Sequence, residues 1–290
     1  MRAHLRRRLV SLILVMLAST TFVVTACDTL IAPVLDTELD NPIDPDSPDT
    51  YVEPETSIIS GPTDGSTITT SSATFTFASN ADLFQWSLLG TVWDGEWSEW
   101  TESTSLTLEY LNEGEYFFQV RSAYDPGEGV PTEIDTSSAS LTFTVDAVSG
   151  PSLVMSPLLI DATVGDEFTI EIVAEEVTDL MAVKAVIQYD PTKLTVEEVL
   201  EGTFLSSTGG SLASYFDIDA VTGTIEINIG TAAGSPVGVS GTGTVAHLRF
   251  SATAAVDQVL SFHPLLTEFR NSSNLTITIN SLLSVRVRVQ

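Results

Sequence analysis

Short runs in which apolar and polar residues alternate constrain the fold of this chain more than any other feature. They recur from residue 57 onwards, and glycine, proline, asparagine and aspartate separate them. A period of two places successive side chains on opposite faces of a β-strand, whereas an amphipathic helix needs a period near 3.6. The abundance of threonine, serine, valine and isoleucine also favours strands. The sequence therefore predicts an all-β protein.

Residues 57–147 are predicted to form the first of two β-sandwiches. Its runs place apolar side chains on one face at Ala73, Phe75, Phe77, Phe84, Trp86, Leu88, Tyr116, Phe118, Val120, Leu141, Phe143 and Val145. Short strands with frequent turns are typical of an immunoglobulin-like sandwich. The stretch VWDGEWSEWTESTSLTLEYLNEGEYFFQVRSAYDPGEG also resembles bacterial immunoglobulin-like and fibronectin type III-like modules. We expect Trp93, Trp97 and Trp100 to pack against the sandwich; a sugar-stacking platform is the alternative.

Residues 151–290 are predicted to form the second sandwich, of jelly-roll type and without a helix. The run VGDEFTIEIVAEEVTDL places Phe168 inward and Glu175 outward, and MAVKAVIQYD begins a separate run that Pro191 ends. The other predicted inward positions are Ile170, Ile172, Ala174, Val183, Ala185, Ile187, Tyr189, Ile225, Ile227, Ile229, Ala246, Leu248 and Phe250.

The first 26 residues have the pattern of a secretory signal, with four arginines followed by the apolar run LVSLILVML. The sequence VVTAC follows and ends at Cys27, the only cysteine of the chain. This arrangement resembles the lipobox of bacterial lipoproteins, which implies that Cys27 is lipidated and becomes the mature N-terminus. An ordinary signal peptide with a chance cysteine is the alternative. We therefore expect an exported protein that is lipid-anchored at the cell membrane or cell surface.

Residues 27–56 are predicted to be a linker, because residues 28–56 contain nine acidic residues, five prolines and no basic residue. Proline stiffens such a segment, and like charges extend it. The net charge of the whole chain is −28, and removal of residues 1–26 would make it −32, because four of eleven basic residues leave with that segment. This charge argues against nucleic acid as a partner.

The sequence contains no convincing catalytic or metal-binding motif. His247 and His263 have no second nitrogen or sulfur ligand at zinc spacing, and GVSGTG is not a nucleophile elbow. Asp217 and Asp219 are candidates for the paired catalytic carboxylates of a glycosidase, but an acidic chain contains many such pairs. We therefore predict that the protein is not an enzyme and has no cofactor.

The second module is similar to cohesin domains. The resemblance rests on VGDEFTIEI near its start, a strand ending YDPTKLTVEEVLEGTF, then GTIEINIG and GVSGTGTVAHLRFSA, in that order. It implies that the module binds a dockerin module on a secreted protein, and that calcium is carried by the dockerin and not by this chain. The resemblance also implies a contact face formed by outward residues of two strands: Ala182, Lys184, Val186, Gln188, Thr224, Glu226 and Asn228.

The sequence departs from the family pattern at that face. Cellulosomal cohesins of the first type carry Asn and Asp where Ala182 and Lys184 stand. The function implied is therefore a surface tether for a partner protein, with the dockerin class left open. One alternative is a carbohydrate-binding module with a role in polysaccharide catabolism, since cohesins share their architecture with cellulose- and chitin-binding modules. The other alternative is a structural envelope spacer or adhesin.

Overall fold

The computed structural model describes residues 42–45, 51–127, 130–232 and 237–290. The chain divides into two compact units, Met1–Glu53 and Pro54–Gln290. In the first unit the Val52 N–H donates a hydrogen bond to the Pro42 carbonyl at 2.6 Å. The predicted signal segment, Cys27 and most of the predicted linker lie outside the described residues.

All regular elements among the described residues are β-strands, so the all-β prediction is confirmed. No described helix is long and apolar enough to cross a membrane. Two large hydrophobic clusters form separate cores, one built from residues 73–145 and the other from residues 153–289. The predicted segment boundaries themselves stay predictions.

The first core lies between two sheets of the amino-terminal module. One sheet has the order β1-β3-β6, and the other has the order β2-β9-β7-β4-β5 with β8 beside β7. The strands are β1 (Thr56–Ser60), β2 (Ser66–Ile68), β3 (Ala73–Ser79), β4 (Leu83–Gly90), β5 (Trp93–Trp97), β6 (Ser105–Leu108), β7 (Gly114–Tyr124), β8 (Glu133–Ile134) and β9 (Ala139–Val145).

Aromatic stacking fills this core. The ring centroids of Phe75 and Phe118 lie 3.9 Å apart, and those of Tyr116 and Phe143 lie 5.4 Å apart. The Tyr116 hydroxyl donates to the carbonyl of Asn112 at 2.8 Å, which lies four residues upstream. Such a tyrosine corner is typical of immunoglobulin-like sandwiches. It agrees with the predicted immunoglobulin-like module, an assignment that stays a prediction.

The carboxy-terminal module is built around one long central strand, β12. Its strands are β10 (Ser152–Ser156), β11 (Leu159–Ala162), β12 (Glu167–Gln188), β13 (Leu194–Glu201), β14 (Leu212–Asp219), β15 (Thr224–Thr231), β16 (Val239–Ala252), β17 (Val256–Phe262), β18 (Glu268–Asn271), β19 (Thr276–Ile277), β20 (Ser281–Leu283) and β21 (Val285–Val289). The first half of β12 pairs with β10 and β16, and its second half pairs with β15 and β18.

β12 continues through a position where the sequence predicted two separate strands. Its register against β16 shifts three times between Ile172 and Leu180. Glu176 and Asp179 have positive φ angles of 47° and 57° in the same stretch. Such bulges bend a strand and increase its twist, so one strand can serve both sheets of a sandwich. Of the fourteen predicted inward positions, thirteen are buried in the resulting core, and Phe168 is partly buried.

Glu175 was predicted to point outward, and it is buried instead. Glu175 is only 8% exposed, because it lies next to the bulges that interrupt the alternation of β12. Its carboxylate accepts a hydrogen bond from the Thr242 hydroxyl at 2.7 Å. Burial raises the pKa of Glu175, and that hydrogen bond only partly opposes the rise.

The Tyr-Asp-Pro corner connects β12 to β13. The Asp190 carboxylate accepts hydrogen bonds from the Thr192 N–H at 2.9 Å and from the Thr192 hydroxyl at 2.7 Å. The Tyr189 N–H donates to the carbonyl of Gly223 at 2.9 Å, which ties the corner to the β14–β15 turn. Pro191 has no N–H to donate, and regular pairing of β12 ends before it, as predicted.

Candidate binding face

Four adjacent strands, in the order β14-β15-β12-β18, form the sheet that carries the predicted contact residues. Val183, Ala185 and Ile187 of β12 point into the core, as do the alternate isoleucines of β15. Because neighbouring side chains of a strand point to opposite sides, the residues between them form the outer surface. We call this surface the outer face.

The strand register places the predicted residues beside one another. Opposite pairs between β12 and β15 are Ala182 with Gly230, Lys184 with Asn228, Val186 with Glu226 and Gln188 with Thr224. Thus the structure brings all seven predicted positions onto one patch of two neighbouring strands. Six of the seven are exposed or half-buried: Ala182, Lys184, Gln188, Thr224, Glu226 and Asn228.

Val186 is the exception: the exposure predicted for it as an outward residue is wrong. Its side chain is only 3% exposed. The chain between β17 and β18 runs alongside this residue: the His263 N–H donates to the Val186 carbonyl at 2.7 Å, and the Val186 N–H donates to the Thr267 hydroxyl at 3.3 Å. Alternation along β12 correctly gives the side of the sheet, but it cannot reveal that a distant turn lies beside this position.

Lys184, Glu226 and Asn228 form a polar network at the centre of the outer face. Lys184 Nζ lies 3.0 Å from Glu226 Oε1, and Asn228 Nδ2 donates to the same oxygen at 2.9 Å. The hydrogen bond from Asn228, together with the contact from Lys184, lowers the pKa of Glu226. The network fixes three long or polar side chains in the free protein, which reduces the entropy that a partner would have to remove.

A shallow depression of about 380 Å³ lies beside this network. Its floor includes Gly230 and Ala182, and a methyl group at position 230 would lie 3.1 Å from the Ala182 Cβ. Tyr215, which is 60% exposed, lines the same depression. Small residues beside an exposed aromatic ring give a surface that can receive an apolar side chain.

The outer face contains residues that sequence reasoning did not assign to it. Tyr215 and Asp217 of β14 lie opposite Asn228 and Glu226. On the other side, Glu268 of β18 lies opposite Lys184, and Arg270 forms an ion pair with Glu268 at 2.8 Å. The alternating pattern around Tyr215 indicates a strand, but only the pairing partners of β14 and β18 place them here.

The tryptophans of the amino-terminal module contact other side chains of that module. The rings of Trp86 and Trp93 are 6.0 Å apart and inclined at 60°. The Arg121 guanidinium lies 4.0 Å from the centroid of the Trp97 ring and 5.7 Å from that of Trp100. All four rings are half-buried. The packing interpretation is therefore favoured, because sugar stacking needs free aromatic faces.

In the described part of the chain, no group of three or more His, Cys, Asp or Glu residues could hold a metal ion. His247 lies 3.7 Å from one carboxylate, that of Glu171, on the first half of β12. Asp219 accepts hydrogen bonds from the Val221 and Thr222 N–H groups and closes the β14–β15 turn, which is a structural role.

Comparison with known proteins identifies a domain that the carboxy-terminal module resembles. The sequence model of the cohesin domain matches residues 159–274. No curated protein matches the chain. Similar solved structures include the cohesin CaCohA2 from Clostridium acetobutylicum, with 20% identity, a TM-score of 0.41 and coverage of 48% of this chain and 91% of that one.

Two further structures are similar at the same level. A non-cellulosomal cohesin from the archaeon Archaeoglobus fulgidus has 18% identity, a TM-score of 0.38 and coverage of 48% and 90%. The Coh-OlpA-Doc918 cohesin–dockerin complex from Clostridium thermocellum has 12% identity, a TM-score of 0.39 and coverage of 48% and 98%. The match to the family model confirms the predicted resemblance: residues 159–274 of this chain match the cohesin domain.

Proposed function

We propose that this protein is a non-catalytic lipoprotein of the cell envelope, whose cohesin domain binds a dockerin-type module and thereby holds an exported partner protein at the cell surface. The outer face is the observation that carries the proposal. It joins a preformed polar network around Glu226 to a depression bordered by Tyr215. The match to the cohesin domain supports a partner-binding role for this domain.

The charges of the outer face indicate what the partner should present. Lys184 and Glu226 neutralise each other, as do Arg270 and Glu268. Asp217 stands opposite Glu226 and has no cation of this chain within ion-pair distance among the described residues. We therefore expect a basic residue of the partner near Asp217 and an apolar one above the depression, because complementary charge and a buried anchor set specificity.

The tethering half of the proposal rests on the amino-terminal sequence. Arginines, a short apolar run and VVTAC precede the acidic, proline-containing linker. Acyl chains on Cys27 would supply membrane binding, and the linker would hold the two modules away from the membrane. Expression of the full chain in a bacterial host tests this half: the wild type should fractionate with membranes, and Cys27→Ser should not. Equal fractionation would contradict lipidation at Cys27.

The binding half is tested with the full chain purified in detergent and immobilised. The probes are purified, calcium-loaded dockerin modules encoded in the same genome. We expect at least one to bind, with loss of binding in chelator and recovery on adding calcium, because the dockerin requires the ion to fold. Tyr215→Ala should weaken binding by roughly tenfold or more. Leu200→Ala on β13 is the matched control, since Leu200 is exposed but lies off the outer face.

Two results would contradict dockerin capture. One is failure of every dockerin module to bind the wild type. The other is calcium-independent retention of the chain on cellulose or chitin, which would favour the carbohydrate-binding alternative.

A further inference from the structure

The turn between β17 and β18, residues 263–267, exposes two consecutive leucines. Leu265 is 87% exposed and Leu266 is 48% exposed. Single exposed apolar side chains are common on protein surfaces, whereas contiguous apolar surface marks interaction sites.

Hydrogen bonds hold the turn in place. Within it, the N–H groups of Leu266 and Thr267 donate to the His263 carbonyl at 3.2 Å and 3.1 Å. The Leu265 N–H donates to His263 Nδ1 at 3.3 Å. Both backbone groups of Val186 bond to the turn, as described above, and Thr267 is buried. The leucines are thus presented by a fixed backbone, which lowers the entropy cost of using them in a contact.

The turn borders the outer face directly. β12 pairs with Phe262 at Ile187 and with Glu268 at Lys184, so the turn fills the gap between these two pairings. Tyr215 stands at the opposite border, on β14. The central polar network therefore lies between two apolar borders. Binding surfaces often combine separated apolar anchors with polar contacts that set register.

Net charge distinguishes among the partners that could contact this turn. The net charge of the chain is −28, and two copies would repel each other. An anionic lipid surface would repel the chain for the same reason. A partner with basic residues near Asp217 and apolar residues beside the turn is the occupant that fits both features.

We infer that Leu265 and Leu266 are apolar anchors for the same dockerin-type partner, and that they contact apolar residues spaced three or four positions apart on one of its helices. This inference rests on the proposed function. Helix residues at that spacing share one face and can pack against two adjacent side chains together. Val186, the apolar residue that the sequence predicted for this side of the face, is replaced in that role by the turn beside it.

The experiment compares the full chain with a Leu265→Ser/Leu266→Ser variant, using the dockerin module that binds the wild type. Affinity should fall by roughly tenfold or more, mainly through faster dissociation. The matched control is Leu200→Ser, which removes a half-exposed leucine of β13 and should leave affinity unchanged. Leu265→Ser alone, at a site 87% exposed, keeps the test decisive if the double variant is unstable.

Each outcome decides between the two proposals. If the wild type binds a dockerin and both leucine variants bind equally well, the role of the turn is overturned and the proposed function stands. If the wild type binds no dockerin, both are overturned. Sedimentation of the free chain and binding to phosphatidylglycerol-containing vesicles are measured in parallel; leucine-dependent self-association or vesicle binding, with unchanged dockerin affinity, would assign the turn to another occupant.

Discussion

Two buried carboxyl groups, Glu175 and Asp135, show how local donors decide the pKa of a side chain. Burial raises the pKa of Glu175, which accepts a hydrogen bond from the Thr242 hydroxyl. Asp135 is 3% exposed, and burial alone would raise its pKa as well. Its carboxylate accepts hydrogen bonds from the backbone and hydroxyl groups of both Thr56 and Ser137, so its pKa is lowered instead.

The two groups predict opposite effects of pH on the free energy of unfolding. Glu175 binds its proton more tightly in the folded state, so its stabilising contribution is present at low pH and is lost as the pH rises from about 4.5 through its folded pKa. Glu175→Gln should therefore stabilise the protein by about 1 kcal/mol at pH 7 and have little effect at pH 4. Urea denaturation at both pH values measures this.

Asp135→Asn is the counterpart. The folded pKa of Asp135 is lowered, so its contribution is present above about 3.8 and is lost as the pH falls through the folded pKa. The substitution should destabilise the protein by about 1 to 2 kcal/mol at pH 7, because four donors lose a charged acceptor. Identical pH profiles for the two variants would contradict the assigned directions.

Val186 yields a test of the corrected outer face. Because its side chain is buried, Val186→Ala should lower the free energy of unfolding by about 2 kcal/mol, near the lower end for truncation of a buried aliphatic residue. Lys184→Ala, two residues earlier and half-exposed, should change it by less than about 1 kcal/mol, as for other surface ion pairs. Equal effects in urea denaturation would mean that Val186 is exposed after all.

At the scale of elements, the Tyr-Asp-Pro corner depends on a glycine in another turn. Gly223 has a φ of 70°, and a side chain there would meet the carbonyl oxygen of Tyr189. Gly223→Ala should therefore destabilise the protein by about 2 kcal/mol or more, since steric overlap adds to the strain of a positive φ. Thermal unfolding followed by circular dichroism measures the change.

Gly209 is the matched control for that prediction. It has a φ of 85°, but a methyl group there would have no neighbour within 4 Å. Gly209→Ala should cost only the conformational strain, about 1 kcal/mol. If both substitutions had the same effect, the close approach between Gly223 and Tyr189 would not contribute to stability.

Elements differ in how well the sequence predicts them. The alternation of apolar and polar residues identifies β15 and the second half of β12. It also gives their inward residues, because burial of one face imposes a period of two. It misses the bend of β12, where bulges break that period and bury Glu175. It also misses the position of β18, a strand of four residues whose place is fixed by its pairing with Lys184 and not by its own composition.

For the whole molecule, the fold class and the resemblance to the cohesin domain could both be predicted, and the candidate site only in part. Six of the seven predicted contact positions reach the surface of one face. Tyr215, Arg270 and the leucine turn could not be assigned to it from sequence, because their places depend on contacts between segments far apart in the chain. The periodicity of one strand contains no information about which strand lies next to it.

The edges of the cohesin module determine where the chain can be cut. The family match ends at residue 274, but β20 pairs with β10 and β21 pairs with β11, so the last strands close against the first ones. A recombinant fragment that stops at residue 274 would leave out Val285 and Val287, which are fully buried. We expect it to be insoluble or to lack a cooperative melting transition, whereas a chain ending at residue 290 melts sharply; expression limits for this domain should follow its strand pairing and not its sequence match.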